Sequence, residues 1–170
     1  MSVVRLGLTL TAVLRRLGLE ASEVAGHSVG EWTALVSAGY LSEDKIEAFI
    51  GGLDPQGLEV PEVSFIAVGA SRERVEALIG AEEGVYCSHD NCPHQSVFCV
   101  PRARADELTQ RLLGAQLLAQ RLPFESGFHA PYFKPYAARI TEHLRGLELQ
   151  TPQRPLWAAT SCEPYPLPTP

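Results

Sequence analysis

Gly26-His27-Ser28-Val29-Gly30 decides how this chain folds. It is preceded by Glu23 to Gly26, which reads as a short strand. It is followed by a segment in which Trp32, Leu35 and Val36 share one helical face and Ala34 and Ala38 favour helix. Gly-x-Ser-x-Gly between a strand and a helix is the nucleophile-elbow pattern. The turn is too tight for side chains on both flanks, so Gly26 and Gly30 are both expected where a side chain would clash. Such a turn lifts the Ser28 hydroxyl clear of the backbone. It also sets the Val29 amide at a helix N-terminus, where it can stabilise an oxyanion.

Upstream, Leu6, Leu10, Val13, Leu14 and Leu17 fall at helical spacing. Arg5 before this apolar run imitates a leader peptide, but Arg15 and Arg16 follow directly, and an amphipathic helix from Ser2 to Leu17, stopped by Gly18, is expected instead. Downstream, Gly39 ends the elbow helix. Ser42 caps another, with Glu43 and Asp44 in its first turn, and Gly51-Gly52 and Asp54-Pro55 close it. A regular alternation follows: strand Val63–Val68, helix Ser71–Ile79, strand Gly84–Ser88, turn Asp90–Pro93, strand Gln95–Val100, helix Pro101–Leu113 and strand Gln116–Leu122. That order, β-α-β-β-α-β, is the ferredoxin-like arrangement. The fold class expected is α/β: a partial α/β-hydrolase-like core with an inserted ferredoxin-like subdomain. Residues 1–60 would hold the elbow, 61–125 the subdomain, and 126–170 a return to the core. In that last part Pro135–Leu144 reads as helix and Leu156–Thr160 as strand. The rest of the tail, with Pro164, Pro166, Pro168 and Pro170, reads as extended or disordered.

Hydrophobic residues make up 45% and charged residues 20% of the 170, enough to build a core. A net charge of −6 argues against a nucleic-acid surface, and no apolar run approaches the roughly 20 residues of a membrane span. Cys87, Cys92, Cys99 and Cys162 read as free thiols of a cytoplasmic protein.

A serine needs a base to act at neutral pH. The histidines are His27, His89, His94, His129 and His143. Neighbours on a sharp turn point apart, which sets His27 aside as the base of Ser28. His143 lies in a polar helical stretch and is expected to be solvated. His129, between Gly127 and Pro131, is placed as a fixed loop side chain and is the candidate base. Cys87, His89, Cys92 and His94 would suit zinc by ligand type, but four ligands within eight residues astride a strand and turn do not converge readily, and no metal is expected.

Gly26-His27-Ser28-Val29-Gly30-Glu31 with Trp32 to Gly39 resembles the malonyl-CoA:acyl carrier protein transacylases and the acyltransferase domains of polyketide synthases. Asn91-Cys92-Pro93-His94-Gln95-Ser96-Val97 is similar to that family's Asn-Ser-Pro-x-Gln-x-Val strand entry, and Gly127-Phe128-His129-Ala130-Pro131 to its Phe-His-Ser-Pro segment. The resemblance implies an acyl-serine mechanism. His129 would serve as base to Ser28, and the acyl group would pass from coenzyme A to the phosphopantetheine thiol of an acyl carrier protein, with ketosynthase and other synthase domains as further partners. It implies Val29, His27, Asn91 and Phe128 as oxyanion or substrate residues, and no bound cofactor. Phe128 and Val29 are as in malonyl-using members.

Two departures qualify what the resemblance implies. The arginine that pairs with the malonyl carboxylate is absent between Leu41 and Ser71, where Lys45 is the sole basic residue. The family's N-terminal Gly-Gln-Gly-Ser segment and its C-terminal strands are also absent, so a domain truncated at both ends is expected. A hydrolase that passes the acyl group to water, and a folded but non-catalytic fragment, remain as alternatives.

Overall fold

The computed structural model describes residues 2–52, 60, 62–123 and 126–165. The chain forms two compact units, one of Met1–Leu53 with Glu142–Pro170, the other of Asp54–Thr141.

The first unit contains α1 (Ser2–Arg16), β1 (Val24–Ala25), α2 (Gly30–Ala38), α3 (Glu43–Gly52), β6 (Leu156–Ala158) and β7 (Glu163–Pro164). Parallel pairing of β1 with β6, Val24 opposite Leu156, buries Leu156 under Ala34, Ala38 and Tyr40 of the elbow-helix region. Ser42 caps α3 as expected, its hydroxyl accepting the Lys45 amide at 3.4 Å. The two glycines expected to close α3 lie inside its last turn, and Asp54-Pro55 falls outside the described residues. The tail departs from the extended or disordered reading. Glu163–Pro164 pairs antiparallel with β6, because residues 159–162 turn the chain back and Tyr165 donates its amide to the Leu156 carbonyl at 2.7 Å. Residues 166–170 are outside the described part.

Helix α1 is apolar on two faces. Val4 and Leu8 are buried on the side that packs against α2, where Arg15 also donates to the Ser37 carbonyl at 3.1 Å. Val3, Leu6, Leu10, Val13, Leu14 and Leu17 share another stripe and are 47% to 69% exposed. An exposed apolar stripe of this kind marks a surface for association. Changing Leu6, Leu10 and Leu17 together to lysine is expected to suppress concentration-dependent self-association in sedimentation velocity. Each change should move stability by no more than about 0.5 kcal/mol, as surface positions do. Unchanged sedimentation would show that the stripe is not adhesive.

In the second unit the strand order is β3-β4-β2-β5, all antiparallel, with β2 Val63–Val68, β3 Tyr86–Cys92, β4 Gln95–Pro101 and β5 Ala119–Arg121. Helices α4 (Arg72–Ile79) and α5 (Arg102–Gly114) complete the β-α-β-β-α-β arrangement read from the sequence. Ser71 caps α4 by accepting the Arg74 amide at 3.3 Å. Alternation along the central strands builds two cores. Ile66, Val68, Phe98 and Val100 face Val75, Ile79, Leu108 and Leu112 of the two helices. Val63, Phe65, Val97 and Cys99 face the other way, onto Val60, Ala130 and the aromatic run Tyr132, Phe133 and Tyr136. A sheet covered on both faces explains why β2 is buried at almost every position and apolar at all but Ser64. Strand β3 is displaced from its expected bounds. It starts at Tyr86 and runs through Cys92, leaving only Pro93-His94 for the turn. Two register shifts against β4, at Cys87/His89 and Asp90/Cys92, let this polar stretch stay paired. Among the described residues no helix is long and apolar enough to cross a membrane.

Candidate active site

Between β1 and α2 the chain turns sharply. Ser28 has φ 52°, left-handed backbone for a residue with a Cβ. The amides of Gly30, Glu31 and Trp32 donate to the carbonyls of His27, Ser28 and Val29 at 2.9, 3.0 and 3.3 Å, so the helix opens on a tight turn. Gly26 is required there: a Cβ on it would lie 2.3 Å from the Gly30 carbonyl carbon and 2.4 Å from the Glu31 nitrogen. Gly30 is not so constrained, which corrects the expectation that both glycines avoid clashes. A Cβ on Gly30 would meet nothing within 4 Å, because it has already entered the helix and faces outward.

Val29 precedes α2 with φ −56° and ψ −25° and is 44% exposed; His27 is exposed and Ser28 half-buried. Glu31 ties the elbow helix to the β6–β7 turn by accepting the Ala159 amide at 3.0 Å. Trp157 donates its indole N–H to Glu23 at 2.8 Å, bracing β6 against the approach to β1. Burial, with Glu31 alongside, pushes the Tyr165 phenol above its ordinary pKa. Lys45, the sole cation of its stretch, reaches both the carbonyl and a carboxylate oxygen of Glu148 at 3.4 Å.

His129 and Phe128 belong to the second unit, on a loop that the sheet holds. Gly127 has φ 62°, and a Cβ on it would sit 2.9 Å from Val60. His129 follows at φ 60° and is exposed within its unit. The Ala130 amide closes the turn onto the Gly127 carbonyl at 3.2 Å. Beyond it, Tyr132 donates to the Gly84 carbonyl at 2.9 Å and Phe128 packs on Phe133 with centroids 4.4 Å apart. Asn91 lies at the far end of β3 and donates to Gln95 at 3.1 Å across the hairpin. The β3 residue that meets His129 is His89, with ring centroids 4.8 Å apart. In the sequence His89 stands out only as a candidate zinc ligand, since no local pattern marks it as a neighbour of His129. His143 is on α6 (Lys134–Arg145), but its side chain is outside the described part.

Among the described residues no three His, Cys, Asp or Glu side chains are grouped to hold a metal ion. All four cysteines are free. Burial raises the Cys99 thiol to about 11 and also raises Cys87, so neither is an activated nucleophile.

A strand, a left-handed serine and a helix, with a four-stranded ferredoxin-like subdomain in the same chain, define an α/β fold that carries a nucleophile elbow. Over 96% of its length the chain matches the acyltransferase domain from the second module of the salinomycin polyketide synthase, at TM-score 0.83 and 26% identity, spanning 39% of that chain. FabD from Acinetobacter baumannii matches over 94% of this chain and 54% of its own, at TM-score 0.80 and 23% identity. In sequence, non-reducing polyketide synthase pks27 of Aspergillus flavus is 30% identical over 181 residues, 96% of this chain and 9% of that protein. No protein-family model matches. The chain thus carries the fold of the polyketide synthase acyltransferase domains and of FabD, and its sequence relatives are polyketide synthases. It spans less than a tenth of the curated relatives it matches first.

Proposed function

We propose that this chain is the nucleophile-bearing part of an acyltransferase of polyketide or fatty-acid synthesis. It would move a malonyl-type acyl group from coenzyme A to the phosphopantetheine thiol of an acyl carrier protein in the cytoplasm. The observation that carries this is the left-handed Ser28 held at a strand-to-helix turn that admits only glycine at position 26.

In the proposed reaction the Ser28 hydroxyl attacks the thioester carbonyl as His129 takes its proton. The Val29 amide donates to the oxyanion that forms. The C–S bond breaks, and coenzyme A leaves as thiol with the proton from His129. In the second half the carrier's thiol gives its proton to His129 and attacks the acyl-Ser28 ester, and Ser28 leaves with that proton. No redox or metal step is required. Phe128 and Val29 would border the acyl group. Lys45 is engaged by Glu148, so a carboxylate-bearing substrate would have to displace that exposed pair.

Incubation with malonyl-, methylmalonyl- or acetyl-CoA followed by intact-mass analysis tests this. A one-acyl mass gain is expected on the wild-type chain with malonyl-CoA. Ser28→Ala should lower it by at least about 10³-fold and His129→Ala by about 10²-fold or more. Release of free acid with no transfer to a carrier would make the protein a thioester hydrolase. Cooperative unfolding with no acylation by any donor would make it a non-catalytic fragment.

A further inference from the structure

One hairpin grips Ser28 from both sides. Three residues before the serine, Ala25 of β1 pairs with Trp157 of β6. Three residues after it, the Glu31 carboxylate accepts the Ala159 amide at 3.0 Å. Trp157 lies in β6 and Ala159 directly follows that strand, so both ends of the elbow are fixed to neighbouring points of the same hairpin. Glu31 takes part twice. Its own amide donates to the Ser28 carbonyl at 3.0 Å, and its side chain reaches the hairpin. A second donor to that carboxylate is the Tyr165 hydroxyl, from just beyond β7. Tyr165 is itself held in place. Its amide donates to the Leu156 carbonyl at 2.7 Å, and its ring packs on the cluster of Ala34, Ala38, Tyr40 and Leu156.

Left-handed backbone at a residue with a Cβ persists only where its surroundings hold it, and Ser28 has φ 52°. An acid in the first turn suits the dipole of α2 without any partner, yet Glu31 has two donors on the hairpin. We propose that Glu31 is the positioning residue of Ser28. Its carboxylate, held by the Ala159 amide and the Tyr165 hydroxyl, clamps the start of α2 to the β6–β7 hairpin and so fixes the direction of the serine hydroxyl and of the Val29 amide. This rests on the reading of Ser28 as the nucleophile. The clamp requires an acceptor rather than a charge. A glutamine oxygen can take the Ala159 amide in the same place, and its NH2 group can donate to the phenol oxygen. Displacing a reacting group by about 1 Å is enough to slow a reaction about 10²-fold.

Single-turnover acylation of the full chain over a range of malonyl-CoA concentrations tests the proposal, with Glu31→Ala, Glu31→Gln and Tyr165→Phe each corrected for the fraction folded. The limiting rate of acyl-Ser28 formation is expected to fall about 10- to 100-fold in Glu31→Ala, with the half-saturating concentration unchanged, and to recover in Glu31→Gln. Labelling of Ser28 by a fluorophosphonate, which needs the nucleophile but no coenzyme A, should follow the same order. Hydrogen exchange should find the Ala159 amide protected in wild type and in Glu31→Gln, and unprotected in Glu31→Ala. A wild-type limiting rate in Glu31→Ala, equal losses in Glu31→Ala and Glu31→Gln, or a loss confined to the half-saturating concentration would overturn the positioning role. If wild type takes the fluorophosphonate but no acyl group from any coenzyme A donor, the transfer reading fails while the labelling rates still decide the role of Glu31. If wild type takes neither, Ser28 is not a working nucleophile and both readings fall. Should Glu31→Ala fail to fold, Tyr165→Phe removes one donor and keeps the carboxylate. A fall of about 3- to 10-fold in limiting rate is expected there, the scale of one hydrogen bond, and an unchanged rate is equally decisive.

Discussion

Gly26→Ala is expected to destabilise the elbow unit by about 3 kcal/mol or more, while Gly30→Ala, four residues on, is expected to stabilise it by about 0.5 kcal/mol. At position 26 the added methyl would lie 2.3 to 2.4 Å from the backbone of Gly30 and Glu31. Backbone atoms cannot swing aside as a side-chain tip does, so β1 and the start of α2 must separate. That separation pulls on the β1–β6 pairing and on Leu156, which is fully buried. At position 30 the methyl enters open space in a residue already helical, and the reduced freedom of the unfolded chain outweighs any contact it makes. Urea unfolding of the two variants gives the comparison directly. Equal losses at both sites would mean that the turn is not closed as described. Loss of acylation in Gly26→Ala should accompany the loss of stability, since the same contact sets the direction of Ser28.

The opposite behaviour of these glycines is what the sequence pattern could not supply. Gly-x-Ser-x-Gly names both as equals, whereas the turn crosses only one of them. Where punctuation is local the sequence carries the boundary itself. Gly39 ends α2 with φ 88°, and Ser71 begins α4 with a side-chain hydrogen bond. The β-α-β-β-α-β order was legible because its core strands and helices carry distinct periods. What failed depended on partners distant in the chain. The paired stretch Asp90–Cys92 looks like turn until β4 lies beside it with shifted register. The tail strand Glu163–Pro164 exists because β6 is there to pair with it.

The candidate site divides in the same way. Ser28 and His129 stand in motifs that a linear reading finds. His89 does not, because Ser88-His89-Asp90 is polar and has no periodicity, and its neighbour on the sheet comes from a loop beyond α5 and β5. Backbone conformation offers a second, independent mark. Ser28 and His129 are two of the five described non-glycine residues with positive φ; Glu62, Gln116 and Cys162 are the others. A left-handed residue with a Cβ costs about 1 to 2 kcal/mol, so its presence in two motif residues is evidence that the direction of those side chains matters.

That cost yields the second large effect. Ser28→Gly and Ser28→Ala are both expected to abolish acyl-enzyme formation, by at least about 10³-fold, because neither has a nucleophile. Their stabilities should differ in the unusual sense, with glycine the more stable by about 0.5 to 1 kcal/mol. Both variants lose the hydroxyl and whatever it touches, so that loss cancels between them. Alanine keeps the Cβ that opposes φ 52°, at about 1 to 2 kcal/mol. Glycine removes that strain and gives back part of the gain, roughly 0.5 to 1 kcal/mol, through its freer unfolded chain. At Gly30, where the backbone is helical, the order of the same two residues is reversed, which makes it the internal control. Urea titration of both pairs, with intact-mass analysis after exposure to malonyl-CoA, separates the claims. If Ser28→Ala is as stable as Ser28→Gly, the serine is not held in left-handed backbone and the elbow geometry is wrong. If the order is as expected but wild type takes no acyl group, the elbow stands as structure and the proposed transfer chemistry fails.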